Sequence, residues 1–127
     1  GLEKWHQMIK TGDLSNLNEL LADDVVFRSP VAFTPYEGKH VVFFILTNVI
    51  QVFENFTYHR EFYTEDGENV VLEFRANVSG KTLKGIDMVR FNEQGKIIDF
   101  EVMIRPMSGL AALAEQMGAR FAQYQPN

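Results

Sequence analysis

Asp87 is an acidic residue in a stretch of chain whose other inward positions are apolar. Residues 70–79 alternate apolar and polar side chains and end at Ser79-Gly80, a pair that favours a tight hairpin turn. A carboxyl group on the apolar face is costly to ionise unless it has a partner or faces a cavity. Asp87 is therefore a candidate for proton transfer. The turn predicts three opposing pairs on that face: Val70 with Val89, Leu72 with Asp87, and Phe74 with Gly85.

A second hairpin predicts the same buried face. Residues 92–95 (Asn-Glu-Gln-Gly) form a turn signal, and the strand that follows alternates with Asp99 and Glu101 facing away. A slip of one residue in either register would bury a row of charges, so the phase of the strands is well determined. The second turn predicts three further pairs: Val89 with Ile98, Asp87 with Phe100, and Gly85 with Val102.

Other interpretations of these polar residues stay open. The carboxyl group of Asp87 could be purely structural and bonded to Trp5 or to a backbone N–H. His6 could lie at the mouth of a pocket or on the surface of a terminal helix. The three histidines do not share metal-ligand spacing with a carboxylate, so we expect no metal and no cofactor. Ser29 lacks the nucleophile elbow that a catalytic triad with Asp87 would need.

The composition narrows the class of protein. The chain has 127 residues, of which 46% are hydrophobic, and it contains no cysteine, so thiolate chemistry and disulfides are excluded. A formal charge of -5 without a basic cluster argues against a nucleic-acid partner. The longest apolar stretch, 41–53, is interrupted by polar residues and is too short to span a bilayer. We expect one cytoplasmic domain over residues 1–127, with no membrane partner.

Hydrophobic periodicity predicts helices first and a curved meander of strands second. The first helix stops at Gly12, and Asp13 or Ser15 caps the second, which turns Leu17, Leu20 and Leu21 inward. This order is typical of an α+β domain with its helices on one face of an antiparallel sheet. The predicted helices are 2–10, a short one near 17–21, 39–54 and 108–123, and the predicted strands are 25–28, 56–64, 69–79, 81–92 and 96–105.

The order of elements and several short motifs resemble the nuclear transport factor 2-like superfamily, and within it the SnoaL-like polyketide cyclases and ketosteroid isomerases. The resemblance covers nearly the whole chain and implies a cone-shaped fold, in which a strongly bent antiparallel sheet wraps around N-terminal helices and a C-terminal helix closes the chain. It also implies an apolar pocket inside the cone. The motifs are Gly-Asp-Leu (12–14), Leu-Ala-Asp-Asp (21–24), Ser-Pro-Val (29–31), Ile-Asp-Met-Val-Arg-Phe (86–91) and Gly-Lys-Ile (95–97).

The resemblance assigns roles to three positions. The acidic hydrogen-bond donor of the isomerases corresponds to Asp87, their general base to Ser29 and their phenolic donor to Trp5. A serine without an activating base does not remove a carbon-bound proton, and an indole N–H only donates. Isomerisation by that mechanism is therefore not expected. The SnoaL-like cyclases imply a single acid/base carboxylate deep in the pocket, a role that Asp87 could fill alone.

Two functions follow as alternatives: an acid/base enzyme of cyclase, isomerase or hydrolase type that uses Asp87, and a non-catalytic binding module or dimeric accessory domain. In both, the ligand is a small apolar or amphipathic molecule. Ile86 and Met88 interrupt the polar outer face of the sheet, which predicts a homodimer through that face. The expected ligand-binding residues are Trp5, Ser29, Phe33, Tyr36, Phe43, Leu72, Phe74, Val89, Phe100 and Val102.

Overall fold

Residues 1–122, which the computed structural model describes, form four helices and six strands. The helices lie at the two ends of the chain and in one long segment before the meander. The elements in chain order are α1 (Leu2–Thr11), α2 (Leu17–Leu20), β1 (Leu21–Arg28), β2 (Tyr36–Glu37), α3 (Lys39–Val52), β3 (Glu54–Tyr63), β4 (Asn69–Val78), β5 (Lys81–Phe91), β6 (Ile97–Arg105) and α4 (Met107–Ala122).

The strands form one curved, unclosed sheet in the order β2-β1-β6-β5-β4-β3. Strands β3 to β6 are an antiparallel meander, and β2 pairs antiparallel with β1. The expected α+β class with a strongly bent sheet is confirmed. One pairing departs from the expected antiparallel sheet, because β1 lies parallel to β6. The chain between these two strands includes α3 and the rest of the meander, which leaves ample length for a parallel crossover.

The first hairpin has the predicted register: Leu72 lies opposite Asp87 and Val70 opposite Val89. The second register was predicted wrongly by two residues, since Asp87 pairs with Val102 and Val89 with Phe100. A β-bulge between Arg90 and Phe91 and a longer turn explain the shift, and Ile97 rather than Ile98 becomes the buried residue. A two-residue shift keeps Phe100 and Val102 inward, so the buried face survives the error beyond the first residues of β6.

The helix boundaries agree with the pattern to within two residues, but Leu21 and Glu54, which were predicted to end helices, begin β1 and β3, and one cap is wrong. Helix α1 ends at Gly12, whose φ of 73° is the left-handed conformation of a C-cap. The predicted capping of α2 by Asp13 or Ser15 is wrong, because Asn16 occupies the N-cap position. Asp13 instead accepts a hydrogen bond from the Ser15 N–H, which tightens the loop before the helix. For α4, the predicted last residue, Gln123, lies outside the described residues.

The helices pack on the inner face of the sheet and bury one apolar stripe each. Trp5 of α1, Leu46 of α3 and Leu113 of α4 are almost fully buried. Phe74 and Phe100 reach the same core from the sheet. Because the sheet bends around the helices, this packing leaves a cavity between them. No helix formed by residues 1–122 is long and apolar enough to cross a membrane.

Candidate active site

A cavity of about 280 Å³ lies between the helices and the inner face of the sheet. Asp87 is the only acidic residue that lines it, and no basic residue of the described chain does. Tyr58, Trp5 and Asp87 supply most of its polar atoms, and apolar or aromatic side chains form nearly all the rest. The lining residues are Trp5, Ile9, Gly12, Phe27, Pro30, Leu46, Val49, Ile50, Phe53, Phe56, Tyr58, Asp87, Phe100, Val102 and Leu113.

Three side chains from three different elements form a hydrogen-bonded chain on the cavity wall. The indole Nε1–H of Trp5 donates to the hydroxyl of Tyr58 at 2.9 Å. The Tyr58 hydroxyl donates in turn to Oδ2 of Asp87 at 2.7 Å. Within residues 1–122, Tyr58 is the only hydrogen-bond partner of the Asp87 carboxyl group. The second carboxyl oxygen is thus left for whatever occupies the cavity.

Burial determines the charge state of this pair. Asp87 is 5% exposed, and its desolvation raises the pKa of the carboxyl group to about 7, although the hydrogen bond from Tyr58 acts in the opposite direction. Burial and the neighbouring carboxyl group also raise the pKa of the Tyr58 phenol well above its ordinary value. Near neutral pH, Asp87 can therefore either donate or accept a proton, while Tyr58 stays a neutral donor.

The structure brings four of the expected site residues to this cavity. Asp87, Trp5, Phe100 and Val102 all line it. Trp5 and Phe100 also touch each other, with ring centroids 5.1 Å apart. The sequence left open a direct hydrogen bond between Trp5 and Asp87. In the structure, the two side chains are connected through the hydroxyl group of Tyr58 instead.

The remaining expected contacts lie elsewhere. Ser29 and Tyr36 line a neighbouring cavity, while Phe33 lies in the loop after Pro30 and is fully exposed. Phe43 packs on the outside of the core and lines neither cavity. Three more are buried in the inner face of the sheet without lining either cavity: Leu72, Phe74 and Val89. The rings of Phe53 and Phe56 pack on Phe74 and separate it from the cavity.

Tyr58 is the site residue that the sequence reasoning missed. It lies on β3, an edge strand with two register shifts against β4 and mostly exposed side chains. The sequence pattern of this strand therefore did not indicate which of its side chains face the core. The alternation of Phe56 with Tyr58 was the available signal, since both face inward and their rings touch at 4.9 Å. The apolar wall from α3, formed by Leu46, Val49 and Ile50, was also missed.

His6 lies beside this site without lining the cavity. Its Nε2 is 3.0 Å from Oε1 of Glu61, and its ring meets the Tyr58 ring edge-on at 5.5 Å. The pair joins α1 to β3 next to the Tyr58 phenol. In the described part of the chain, no group of three or more His, Asp or Glu side chains could hold a metal ion.

The curved sheet, the packed helices and the apolar cavity between them are those of a nuclear transport factor 2-like fold. The sequence model of the SnoaL-like domain matches residues 2–100. The chain therefore belongs to the SnoaL-like domain family. A search of curated proteins gives no match.

Solved structures extend the comparison. A steroid delta-isomerase from Pseudomonas aeruginosa is 57% identical, with a TM-score of 0.93 over 97% of this chain and 90% of that one. An uncharacterised bacterial protein with a cystatin-like fold from Silicibacter pomeroyi is 36% identical, with a TM-score of 0.85 over 92% and 82% of the two chains. SalBIII, an epoxide hydrolase/cyclase-like enzyme of pyran ring formation in salinomycin, shares the fold at 15% identity, with a TM-score of 0.68 over 85% and 89%.

Proposed function

We propose that this protein binds a small, mostly apolar molecule bearing an oxygen function and acts on it as an acid/base enzyme through Asp87. The observation that carries the proposal is the hydrogen-bonded chain from Trp5 through Tyr58 to Asp87 on an otherwise apolar cavity wall. A carboxyl group with a pKa of about 7 is matched to proton transfer at neutral pH. The similarity to proteins of isomerase and cyclase type supports the same class of chemistry.

The proposed step uses the neutral form of Asp87. Its O–H hydrogen-bonds to a carbonyl or epoxide oxygen and transfers the proton there as negative charge develops. For a carbonyl, the charge comes from breaking the neighbouring C–H bond, which gives the enol, and an enol reacts in the reverse direction. For an epoxide, it comes from breaking the ring C–O bond as a hydroxyl group or water attacks the ring carbon. The carboxylate that remains keeps its hydrogen bond from Tyr58, which is itself held by the Trp5 N–H. The Asp87 carboxylate takes up the proton released from the substrate carbon or from the attacking hydroxyl group or water, directly or through solvent, which closes the cycle. Trp5 and Tyr58 thus position the acid, and the apolar wall excludes competing water.

A second function is favoured by one specific observation: among the described lining residues, no second carboxylate or histidine accompanies Asp87. A binding module needs only a shaped apolar cavity and one polar anchor. In that alternative, Asp87 and Tyr58 hold the ligand by its oxygen and no bond is broken.

The two functions differ in a hydrogen-exchange experiment on a small bicyclic ketone such as 2-decalone. For an acid/base enzyme, exchange of the protons next to the carbonyl in D₂O, followed by NMR, exceeds the buffer rate. Asp87→Asn then lowers the protein-dependent rate about 100-fold or more. Glu101→Gln, which changes a carboxylate on the outer face of the sheet, is the matched control and keeps the rate. Binding without exchange would identify the binding module instead.

A further inference from the structure

Three basic residues form a row across the outer face of the sheet. Arg75 of β4 lies opposite Lys84 of β5, and Lys84 lies opposite Arg105 of β6. Adjacent strands are about 4.8 Å apart, so the three backbone positions span roughly 10 Å. The sequence shows no basic cluster, because the three residues come from three separate strands. They are called the basic row below.

The basic row has an electrostatic cost that the fold does not compensate. Like charges directly opposite each other on neighbouring strands destabilise a sheet. The other end of the same strands avoids this cost, since Arg90 of β5 lies opposite Asp99 of β6. In the basic row, Lys84 has an acidic partner. Among residues 1–122, the side chains of Arg75 and Arg105 have neither a hydrogen bond nor an ion pair, so both guanidinium groups can bind an anion.

The basic row lines an open depression of about 510 Å³ on the outer face. Glu73 is the only carboxylate among the described residues that line it, and Arg60 already donates two hydrogen bonds to that group. The hydroxyl oxygen of Thr82, also in the depression, accepts a hydrogen bond from the Asn77 side chain at 3.1 Å. Its O–H can therefore still donate. The depression thus combines donors from several strands with a single acceptor that is already paired.

This set of donors fits a phosphate group better than a carboxylate. Guanidinium groups bind either anion through paired N–H donors, and a lysine ammonium group binds phosphate as a point charge. A carboxylate offers two oxygens in one plane, whereas a phosphate monoester offers three strong acceptor oxygens that point in different directions. Donors that come from three strands therefore suit the tetrahedral group. The volume of the depression also lies in the range of small-molecule sites, about 300–1,000 Å³.

The charge of the whole chain favours this position over others on the surface. The chain has a formal charge of -5, so an anion is repelled from much of the molecule and attracted to the basic row. We propose that the basic row is a binding site for the phosphate group of a soluble small molecule. The site lies on the opposite face of the sheet from the Asp87 cavity, and the inference does not depend on the acid/base function proposed there.

Calorimetric titration of the full chain with inorganic pyrophosphate, at pH 8 and low ionic strength, tests this site. We expect saturable binding with a Kd of about 1 mM or lower. Arg75→Gln and Arg105→Gln should each weaken the binding about 3- to 10-fold. Arg90→Gln is the matched control, because it makes the same change of charge on the same face outside the depression, and it should leave the Kd unchanged. Citrate, a carboxylate polyanion, should bind more weakly than pyrophosphate.

Thermal melts without ligand distinguish a binding role from a structural one. Arg75→Gln and Arg105→Gln each remove a like-charge contact, so we expect both variants to be as stable as wild type or more stable. A loss of stability in both variants, together with an unchanged Kd for pyrophosphate, would make the two arginines structural and the proposal wrong.

Other results would also overturn the proposal. Pyrophosphate could bind equally to wild type, Arg75→Gln and Arg105→Gln, or sodium chloride at the same ionic strength could reproduce its effect. Tighter binding of citrate would assign the site to carboxylates. Binding to vesicles that contain phosphatidic acid, without binding of pyrophosphate, would assign it to a lipid surface. A dimer that dissociates in Arg105→Gln and binds no pyrophosphate would show that a second copy of the chain covers the basic row.

Discussion

Two carboxyl groups on opposite faces of the same sheet have nearly equal exposed fractions and opposite charge behaviour. Asp87, on the inner face of β5, is 5% exposed, and Glu73, on the outer face of β4, is 7% exposed. The pKa of Asp87 is raised to about 7, whereas that of Glu73 is lowered to about 2. A low exposed fraction alone therefore does not determine the ionisation of a carboxyl group in this molecule. Asp87 lies deep in the interior, whereas Glu73 is covered by the side chains of Arg60 and Lys84, which are themselves exposed.

The difference comes from the partners. Arg60 donates two hydrogen bonds to Glu73, at 2.9 and 2.6 Å, and Lys84 lies 3.2 Å from the same carboxylate. Asp87 receives one hydrogen bond from the neutral phenol of Tyr58 and, among residues 1–122, has no cationic partner. Opposite charges favour the ionised form, and a neutral donor only partly offsets desolvation. The outer face holds a structural ion cluster, and the inner face holds an acid that can exchange its proton.

The largest expected effect is on stability when Asp87 is replaced by Asn. The raised pKa of Asp87 means that ionising it destabilises the folded state, by on the order of 4 kcal/mol above pH 7. Asp87→Asn removes that charge, and Tyr58 can donate to the amide oxygen, so we expect the variant to be as stable as wild type or more stable at pH 8. The gain should be absent below the ordinary pKa of 3.8 and grow as the pH rises towards 7.

Denaturant melts of wild type and Asp87→Asn at pH 5 and pH 8 measure this effect. The stability difference between the two proteins should be larger at pH 8 than at pH 5. A variant markedly less stable than wild type at pH 8 would show that Asp87 is an ionised and well-paired structural acid. The contrast with Glu73 would then disappear, and the proposed acid/base role would lose its main support.

Glu73→Gln should change stability with the opposite sign. Because the pKa of Glu73 is lowered from 4.5 to about 2, the folded state gains stability from its charge above pH 4.5 and loses that gain as the pH falls towards 2. We expect the variant to be less stable than wild type at pH 8, with a smaller difference at pH 3. Arg60 is 68% and Lys84 46% exposed, so added salt should also reduce the difference in melts at pH 8.

Tyr58→Phe tests how much the hydrogen bond from the neutral Tyr58 phenol lowers the pKa of Asp87. The variant removes the hydrogen bond that lowers the pKa of Asp87, so this pKa should rise further above 7. The buried Trp5 N–H loses its acceptor as well, and we expect a loss of stability of about 1–3 kcal/mol. Titration of Asp87 by carboxyl NMR, in wild type and in the variant, measures the shift. An unchanged pKa would mean that Tyr58 contributes nothing to the charge state of Asp87.

The sequence predicted the inner acid better than its surroundings. Asp87 was found because its hairpin register is short-range and because a one-residue slip would bury charges. Tyr58 reaches it from β3, on the far edge of the sheet from β1, and no local pattern fixes how far that edge strand bends inwards. Phe33 was wrongly predicted to bind the ligand for a related reason. It lies in a loop after a proline, where no periodic pattern indicates whether a side chain is buried or exposed.

The outer face also carries an apolar patch, formed by Phe62, Ile86, Met88 and Met103, beside the Glu73 cluster. Phe62, Met88 and Met103 are 57%, 39% and 47% exposed. The sequence predicts that this face joins two copies of the chain, and light scattering at micromolar concentration should then give twice the chain mass. Met88→Asp should shift the mass towards one chain, with Met107→Asp on α4 as the exposed control. If the wild type is a strict monomer in light scattering, the prediction that the outer face joins two copies of the chain is wrong.

The smallest expected effect concerns steroid Δ5 to Δ4 isomerisation, which moves a proton from one carbon to a second, more distant carbon and so needs a base that reaches both carbons in addition to an acid at the oxygen. The family position of that base is Ser29, which lies in the second cavity and whose hydroxyl is bonded to the Val31 N–H. A serine without an activating base does not take such a proton. We therefore expect no rate above buffer, even though a steroid delta-isomerase is 57% identical to this chain. Ser29→Asp should restore at most a trace, measured by the absorbance of the conjugated enone. A clear rate in the unmodified protein would show that the Asp87 carboxyl group also carries the proton from the first carbon to the second, and that one inner-face carboxyl group is enough for the whole isomerisation.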